Sequence, residues 1–129
     1  MKKTKIALMT IPGLAAVLIV GSFAPALAGC PGCIFGTSGN DKISGGDGEQ
    51  FIFGLGGDDK IQAGDGDDFV DPGTGADRVT LGDGDDDIGL QPDGEVDRIL
   101  CGDGNDRVFY FPIIDPLDIF KDCEQFLED

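Results

Sequence analysis

The chain has no histidine and no tryptophan, and its nine lysines and arginines stand against 25 aspartates and glutamates, a formal charge of −16. Without histidine, neither a Ser-His-Asp nor a Cys-His arrangement can be built. So few basic residues in so acidic a chain exclude nucleic acid as a partner. Long apolar runs are also missing. The longest, residues 6–20, is short for a membrane span. Carboxylates are abundant, so a glycosidase-like pair is available by residue type. They recur periodically, however, which one active site does not require, and the expectation is a protein that is not an enzyme. With 129 residues there is room for one small domain.

What is present begins with an export pattern. Lys2, Lys3 and Lys5 precede the apolar run, and Ala26-Leu27-Ala28 follows Pro25. A charged head, an apolar stretch and small residues read as a signal peptide over residues 1–28. Cleavage after Ala28 would leave six basic residues against 25 acidic ones, a net charge of −19. A second reading stays open. Leu27-Ala28-Gly29-Cys30 resembles the lipobox of bacterial lipoproteins, in which Cys30 would carry the lipid and anchor the chain in the envelope. The even set Cys30, Cys33, Cys101 and Cys123 suits an oxidised, secreted chain, and lipidation would strand one thiol. The location expected is therefore extracellular, with membrane attachment only through a lipidated Cys30.

From residue 36 to residue 109 the chain repeats every nine residues: GTSGNDKIS, GGDGEQFIF, GLGGDDKIQ, AGDGDDFVD, PGTGADRVT, LGDGDDDIG, an irregular LQPDGEVDRIL, and CGDGNDRVF. The fourth column is glycine throughout: Gly39, Gly48, Gly57, Gly66, Gly75, Gly84, Gly94 and Gly104. The eighth column is always β-branched: Ile43, Ile52, Ile61, Val70, Val79, Ile88, Ile99 and Val108. The sixth is aspartate except at Gln50. Each unit reads as a glycine-rich turn followed by a short strand with its β-branched residue turned inward. One such strand buries little alone. Stacked units would bury a continuous row of Ile and Val. Residues 29–35 read as a lead-in, 36–109 as the repeat array and 110–129 as a cap over its last coil. Leu55, Ala63, Pro72 and Leu81 read as departures from the early-column glycines, and the stretch through Pro92 and Val96 as a bulge. The sequence CEQFLED suggests a short helical turn. Arg78, Arg98, Arg107, Lys42 and Lys60 share the seventh column and are expected to screen neighbouring carboxylates.

The pattern G-G-x-G-x-D-x-U-x resembles the RTX nonapeptide repeat. The resemblance covers residues 35–109, and "GTSGNDKISGGDG" is close to the usual opening of such arrays. It implies an all-β fold, a right-handed parallel β-roll or β-solenoid, with Ca²⁺ held between neighbouring turns. Carried over position by position, the carboxylate ligands are Asp41, Asp59, Asp68, Asp77, Asp86, Asp97 and Asp106, completed by the carbonyls of Gly39, Gly57, Gly66, Gly75, Gly84 and Gly104. A site using Gln50 should be weaker. Asp118 and Phe120 continue the sixth and eighth columns. The segment from "CGDGNDRVF" to "DCEQF" is similar to the closing part of small secreted members. The residue chemistry agrees: Ca²⁺ takes six to eight oxygens, which aspartates and glycine-freed carbonyls supply. Asp67 and Asp71 read as solvated acid. The metal-free chain should be mostly disordered and the calcium form β-rich.

The expected disulfide is Cys101–Cys123, pinning the last segment to the array, which leaves Cys30–Cys33 by default. Cys30-Pro31-Gly32-Cys33 has redox spacing, but no helical pattern follows it, and a structural role is expected. The functional reading is an exported calcium-binding β-roll folded by its ions. The alternative is an envelope-attached structural or adhesion module in which Ca²⁺ is only a staple. No protein or cell-surface partner is legible.

Overall fold

A computed structural model of the chain describes residues 16–17, 30–111 and 113–128. Among the described residues, twelve short strands alternate between two parallel six-stranded sheets. One sheet, the odd sheet, holds β1 (Ala16–Val17), β3 (Asp41–Ser44), β5 (Lys60–Asp65), β7 (Arg78–Asp83), β9 (Arg98–Asp103) and β11 (Ile119–Lys121), in that spatial order. The even sheet holds β2 (Cys33–Phe35), β4 (Phe51–Phe53), β6 (Phe69–Asp71), β8 (Asp87–Leu90), β10 (Arg107–Tyr110) and β12 (Gln125–Glu128). The chain thus winds as a β-solenoid, with no helix among the described residues.

Each coil uses two nine-residue units, so a residue lies beside the one 18 positions on: Ile43 opposite Ile61, Ile61 opposite Val79. The eleven-residue unit adds two residues to one loop without disturbing the register, and Arg78 faces Arg98. The extra length bulges into the turn at 91–97, where no strand pairing constrains it.

Inward side chains alternate along each strand, as a pleated strand requires. The eighth-column residues from Ile43 to Val108 are all buried. A second inner row stands two residues further on: Ala63, Leu81 and Cys101 from the odd sheet, and Leu90 and Tyr110 from the even sheet, each at most 2% exposed. Ala63 and Leu81 are therefore core residues, where the repeat pattern alone suggested irregularity. Each Leu or Ile enclosed in this way contributes about 1.5–3 kcal/mol. Leu55 does depart from the rule. It is exposed and has φ 80°, a conformation that glycine takes more readily.

The winding extends past both expected boundaries. β2 lies within residues 29–35 and pairs with β4. The expected cap is itself a coil: β11 pairs with β9, and β12 with β10. The CEQF segment runs into strand β12 and not into a helical turn, because Gln125, Phe126 and Leu127 take the register of Arg107, Val108 and Phe109. Tyr110, Phe120 and Phe126 cluster over the last coil, with ring centroids 5.3–6.1 Å apart. Phe111, Ile113, Ile114 and Leu117 are left exposed. Cys101 pairs with Cys123, which holds this coil to the core, and Cys30 pairs with Cys33. Of the expected signal peptide, only Ala16–Val17 is described, paired with Asp41–Lys42; the rest lies outside the described residues.

Candidate functional site

The turns between sheets stack into two edges. Along one run Asp41, Asp59, Asp77, Asp97 and Asp118; along the other run Gln50, Asp68, Asp86, Asp106 and Glu124. In every rung a backbone N–H donates to the carboxylate of the next coil. Asp41 donates to Asp59 Oδ1 (2.8 Å), Asp59 to Asp77 Oδ1 (2.8 Å), Asp77 to Asp97 Oδ1 (2.9 Å) and Asp97 to Asp118 Oδ1 (3.1 Å). On the other edge Gln50 donates to Asp68 Oδ1 (2.8 Å), Asp68 to Asp86 Oδ1 (2.8 Å), Asp86 to Asp106 Oδ1 (3.0 Å) and Asp106 to Glu124 Oε2 (3.0 Å). The seven expected aspartates fall on these two ladders, all buried. Glu124 ends the second ladder and was not anticipated. Its place two residues before Phe126 repeats the spacing between sixth and eighth columns.

The ladder uses one carboxylate oxygen of each accepting residue, and Thr37 takes one of Asp41. The other is left buried without a hydrogen-bond partner at Asp59, Asp68, Asp77, Asp86 and Asp106 (Oδ2 in each), and at Asp41 (Oδ1). An unpaired buried carboxylate oxygen is expensive. Its cost shows in the titration of these groups. Burial, aided by neighbouring carboxylates, raises Asp77 from 3.8 to about 8 and Asp97 to about 7. It raises Asp59 and Asp86 to about 6, despite the ladder hydrogen bonds that oppose it. Asp68 and Asp106 shift upward for the same reason.

The glycine carbonyls stack along the axis as well. A Cβ on Gly84 or Gly104 would overlap the carbonyl oxygen of Gly66 or Gly84 one coil before, and both residues have φ above 130°. Only glycine lets successive turns approach so closely. Gly57, Gly66 and Gly75 face the preceding turn's backbone in the same way, while Gly39 heads its column.

Gln50 shows what these turns demand. Its amide nitrogen, Nε2, donates to the carbonyls of Gly48 (2.5 Å) and Asp47 (3.4 Å), and its Oε1 accepts from Gly46 N–H (3.2 Å). A donor group with positive hydrogens thus satisfies loop carbonyls in the one repeat whose sixth column lacks an aspartate. In six of the other repeats the sixth-column residue, Asp41, Asp59, Asp68, Asp77, Asp86 or Asp106, instead leaves a buried carboxylate oxygen without a partner. The donor set is entirely oxygen, which fits a hard cation of the calcium class. Among the described residues no three carboxylates close into a cage. A cation here would take one carboxylate per coil and complete its shell with carbonyls.

Fifth-column residues form a further ladder of opposite sense. Asp85 N–H donates to Asp67 Oδ1 and Asn105 N–H to Asp85 Oδ1, both at 3.0 Å. Asp67 is thus engaged and not merely solvated. Asp71 is half-buried and shifted upward by burial.

The pattern of a known family, the RTX calcium-binding nonapeptide repeat (4 copies), matches residues 34–49 and 44–79. Over residues 34–79 the turns described above are RTX calcium-binding repeats. This is a calcium-binding repeat protein with a β-roll fold. The ladders themselves continue through Glu124, beyond the matched residues. Among curated proteins, none matches the chain.

Proposed function

We propose that this protein is an exported RTX β-roll whose folding is driven by Ca²⁺ held between successive coils along both edges. One observation carries the reading: six ladder aspartates, Asp41, Asp59, Asp68, Asp77, Asp86 and Asp106, each leave a buried carboxylate oxygen with no partner in turns whose glycines stack against the preceding coil's carbonyls. On this reading Asp41, Asp59, Asp68, Asp77, Asp86, Asp97 and Asp106 hold the ions, with carbonyls from Gly39, Gly57, Gly66, Gly75, Gly84 and Gly104. Asp118 and Glu124 supply the last rungs. The bound ion contributes positive charge, which offsets carboxylate burial and mutual repulsion. At a tenfold excess over its Kd, each ion adds about 1.4 kcal/mol to folding. A handful of ions then approaches the net stability of a small domain. The role is binding and structural, not catalytic, consistent with the absence of histidine and the periodic carboxylates.

The test is far-UV circular dichroism in EDTA and after addition of Ca²⁺ or Mg²⁺. A β-sheet signal appearing with Ca²⁺ and reversed by EDTA is expected. A spectrum indifferent to EDTA would sink the proposal. Export as a soluble chain is supported by the pairing of Cys30 with Cys33, since a lipidated Cys30 could not form it. Intact mass of protein from its native host tests this point: an added diacylglycerol would return the envelope-anchored alternative.

A further inference from the structure

The outer face of the odd sheet carries Lys42, Lys60, Arg78 and Arg98 in direct register across β3, β5, β7 and β9, all exposed. At the strand spacing of about 4.8 Å, the four charges form a line roughly 14 Å long, parallel to the solenoid axis. Like charges directly opposed across strands destabilise a sheet. Among the described residues, none of these four forms an ion pair with a carboxylate; the pairs are Arg107–Asp87 and Lys121–Asp122. Arg107 shows that the geometry permits pairing. It occupies the same column on the even sheet and binds Asp87 through two hydrogen bonds. The odd sheet instead sets cation beside cation.

The residues sharing that face are mostly polar; Leu100 beside Thr80 and the exposed Ile119 beside Arg98 at one end are apolar. Ser44, Gln62 and Thr80 stand in register two positions further along each strand. The aromatic residues lie elsewhere: Phe35, Phe51, Phe53, Phe69 and Phe109 stand on the outside of the even sheet.

We propose that the outer face of the odd sheet binds a linear acidic polysaccharide laid along the solenoid axis, its carboxylates on Lys42, Lys60, Arg78 and Arg98. The evenly spaced cations suit a polymer with one carboxylate on each ring. Ser44, Gln62 and Thr80 offer hydrogen-bonding partners to ring hydroxyls, and the two arginines can hold a carboxylate through paired hydrogen bonds. Other polyanions suit the face less. Single-stranded nucleic acid uses aromatic platforms for its bases, and this face has none among the described residues. An anionic membrane surface calls for apolar side chains flanking the cations; here Ser44, Gln62 and Thr80 flank three of the four with polar groups, and Arg98 has the apolar neighbours Leu100 and Ile119.

The experiment is fluorescence anisotropy with a short fluorescein-labelled oligoglucuronate, on the full protein in excess Ca²⁺. Circular dichroism of each sample verifies that the protein is folded, which separates loss of this face from loss of the calcium-dependent fold. Saturable, salt-sensitive binding is expected, with no binding of a neutral dextran oligomer. The double variant Lys60→Ser/Arg78→Ser should bind about tenfold more weakly or worse. Arg107→Gln removes one charge from the opposite sheet and should change affinity by less than about twofold, whereas Arg78→Gln removes the same charge from the ladder and should weaken binding several-fold. The proposal is overturned by equal losses in folded Arg78→Gln and Arg107→Gln, by the absence of saturable binding, or by equal binding of dextran. Tighter binding of phosphatidylglycerol vesicles or of oligo-deoxythymidine would overturn it in favour of a membrane or nucleic-acid partner.

Discussion

Replacing Asp77 by Asn should push the metal-free and calcium-loaded proteins in opposite directions. Asp77 lies in the middle of its ladder, wholly buried, with Oδ1 bonded to Asp59 N–H and Oδ2 without a partner. Burial and the charges of Asp97, Asp59 and Asp93 raise its pKa from 3.8 to about 8. A carboxyl raised in the fold holds its proton more tightly there than in the unfolded chain. Stability is therefore complete at low pH and declines as the pH climbs from about 4 toward 8. At pH 7 that decline has covered about three pH units. At about 1.4 kcal/mol per unit it amounts to at most about 4 kcal/mol against the metal-free fold. Asparagine keeps the Oδ1 acceptor and removes the titration. Its amide nitrogen can turn to loop carbonyls, as that of Gln50 does. In EDTA at pH 7, Asp77→Asn should gain about 2–4 kcal/mol, read as increased β-sheet signal and a higher urea midpoint. In Ca²⁺ the same change removes a charged ligand. At a tenfold excess of ion over Kd, it forfeits about 1.4 kcal/mol for each site it empties. The increment produced by calcium must shrink. A variant with less structure than the parent in EDTA, or with an undiminished calcium increment, would refute the reasoning.

Three further outcomes follow from the same edges. Gln50→Asp restores the missing carboxylate where an amide now serves the Gly48 carbonyl; calorimetric titration should show an added or tightened calcium site, and an unchanged titration counts against the ligand assignment. In EDTA, lowering the pH from 8 to about 4 should increase β-structure, because Asp59, Asp77, Asp86 and Asp97 take up protons in the fold at pH values of about 6 to 8. Loss of structure over that window, followed by circular dichroism, contradicts the burial account. Replacing Cys123 by Ser opens a loop spanning 22 residues, and should lower stability in calcium by about 3 kcal/mol. A denaturation midpoint within error of the parent would mean that the last coil holds without its staple.

The nine-residue period made the strands, the turns and the eighth-column core legible, because each depends on local chemistry. Glycine alone tolerates the stacked turns, and β-branched residues suit the short strands. The sixth-column aspartates were legible for the same reason, since calcium chemistry needs oxygens at a regular interval. Three features depended on which repeats become neighbours. Alternate units fall on different sheets, so each ladder links residues two units apart and not adjacent ones. That winding turns Ala63, Leu81 and Cys101 into a second buried row. It also brings Glu124 under Asp106 although the intervening unit is irregular. Lastly, it sorts one column into two faces. Lys42, Lys60, Arg78 and Arg98 line one sheet while Phe51, Phe69 and the Asp87–Arg107 pair line the other. The repeat thus determined what each residue does within its own turn. Only the coiling decided which residue lies 18 positions away beside it, because cross-strand register is a property of the stacked sheets and not of any single repeat.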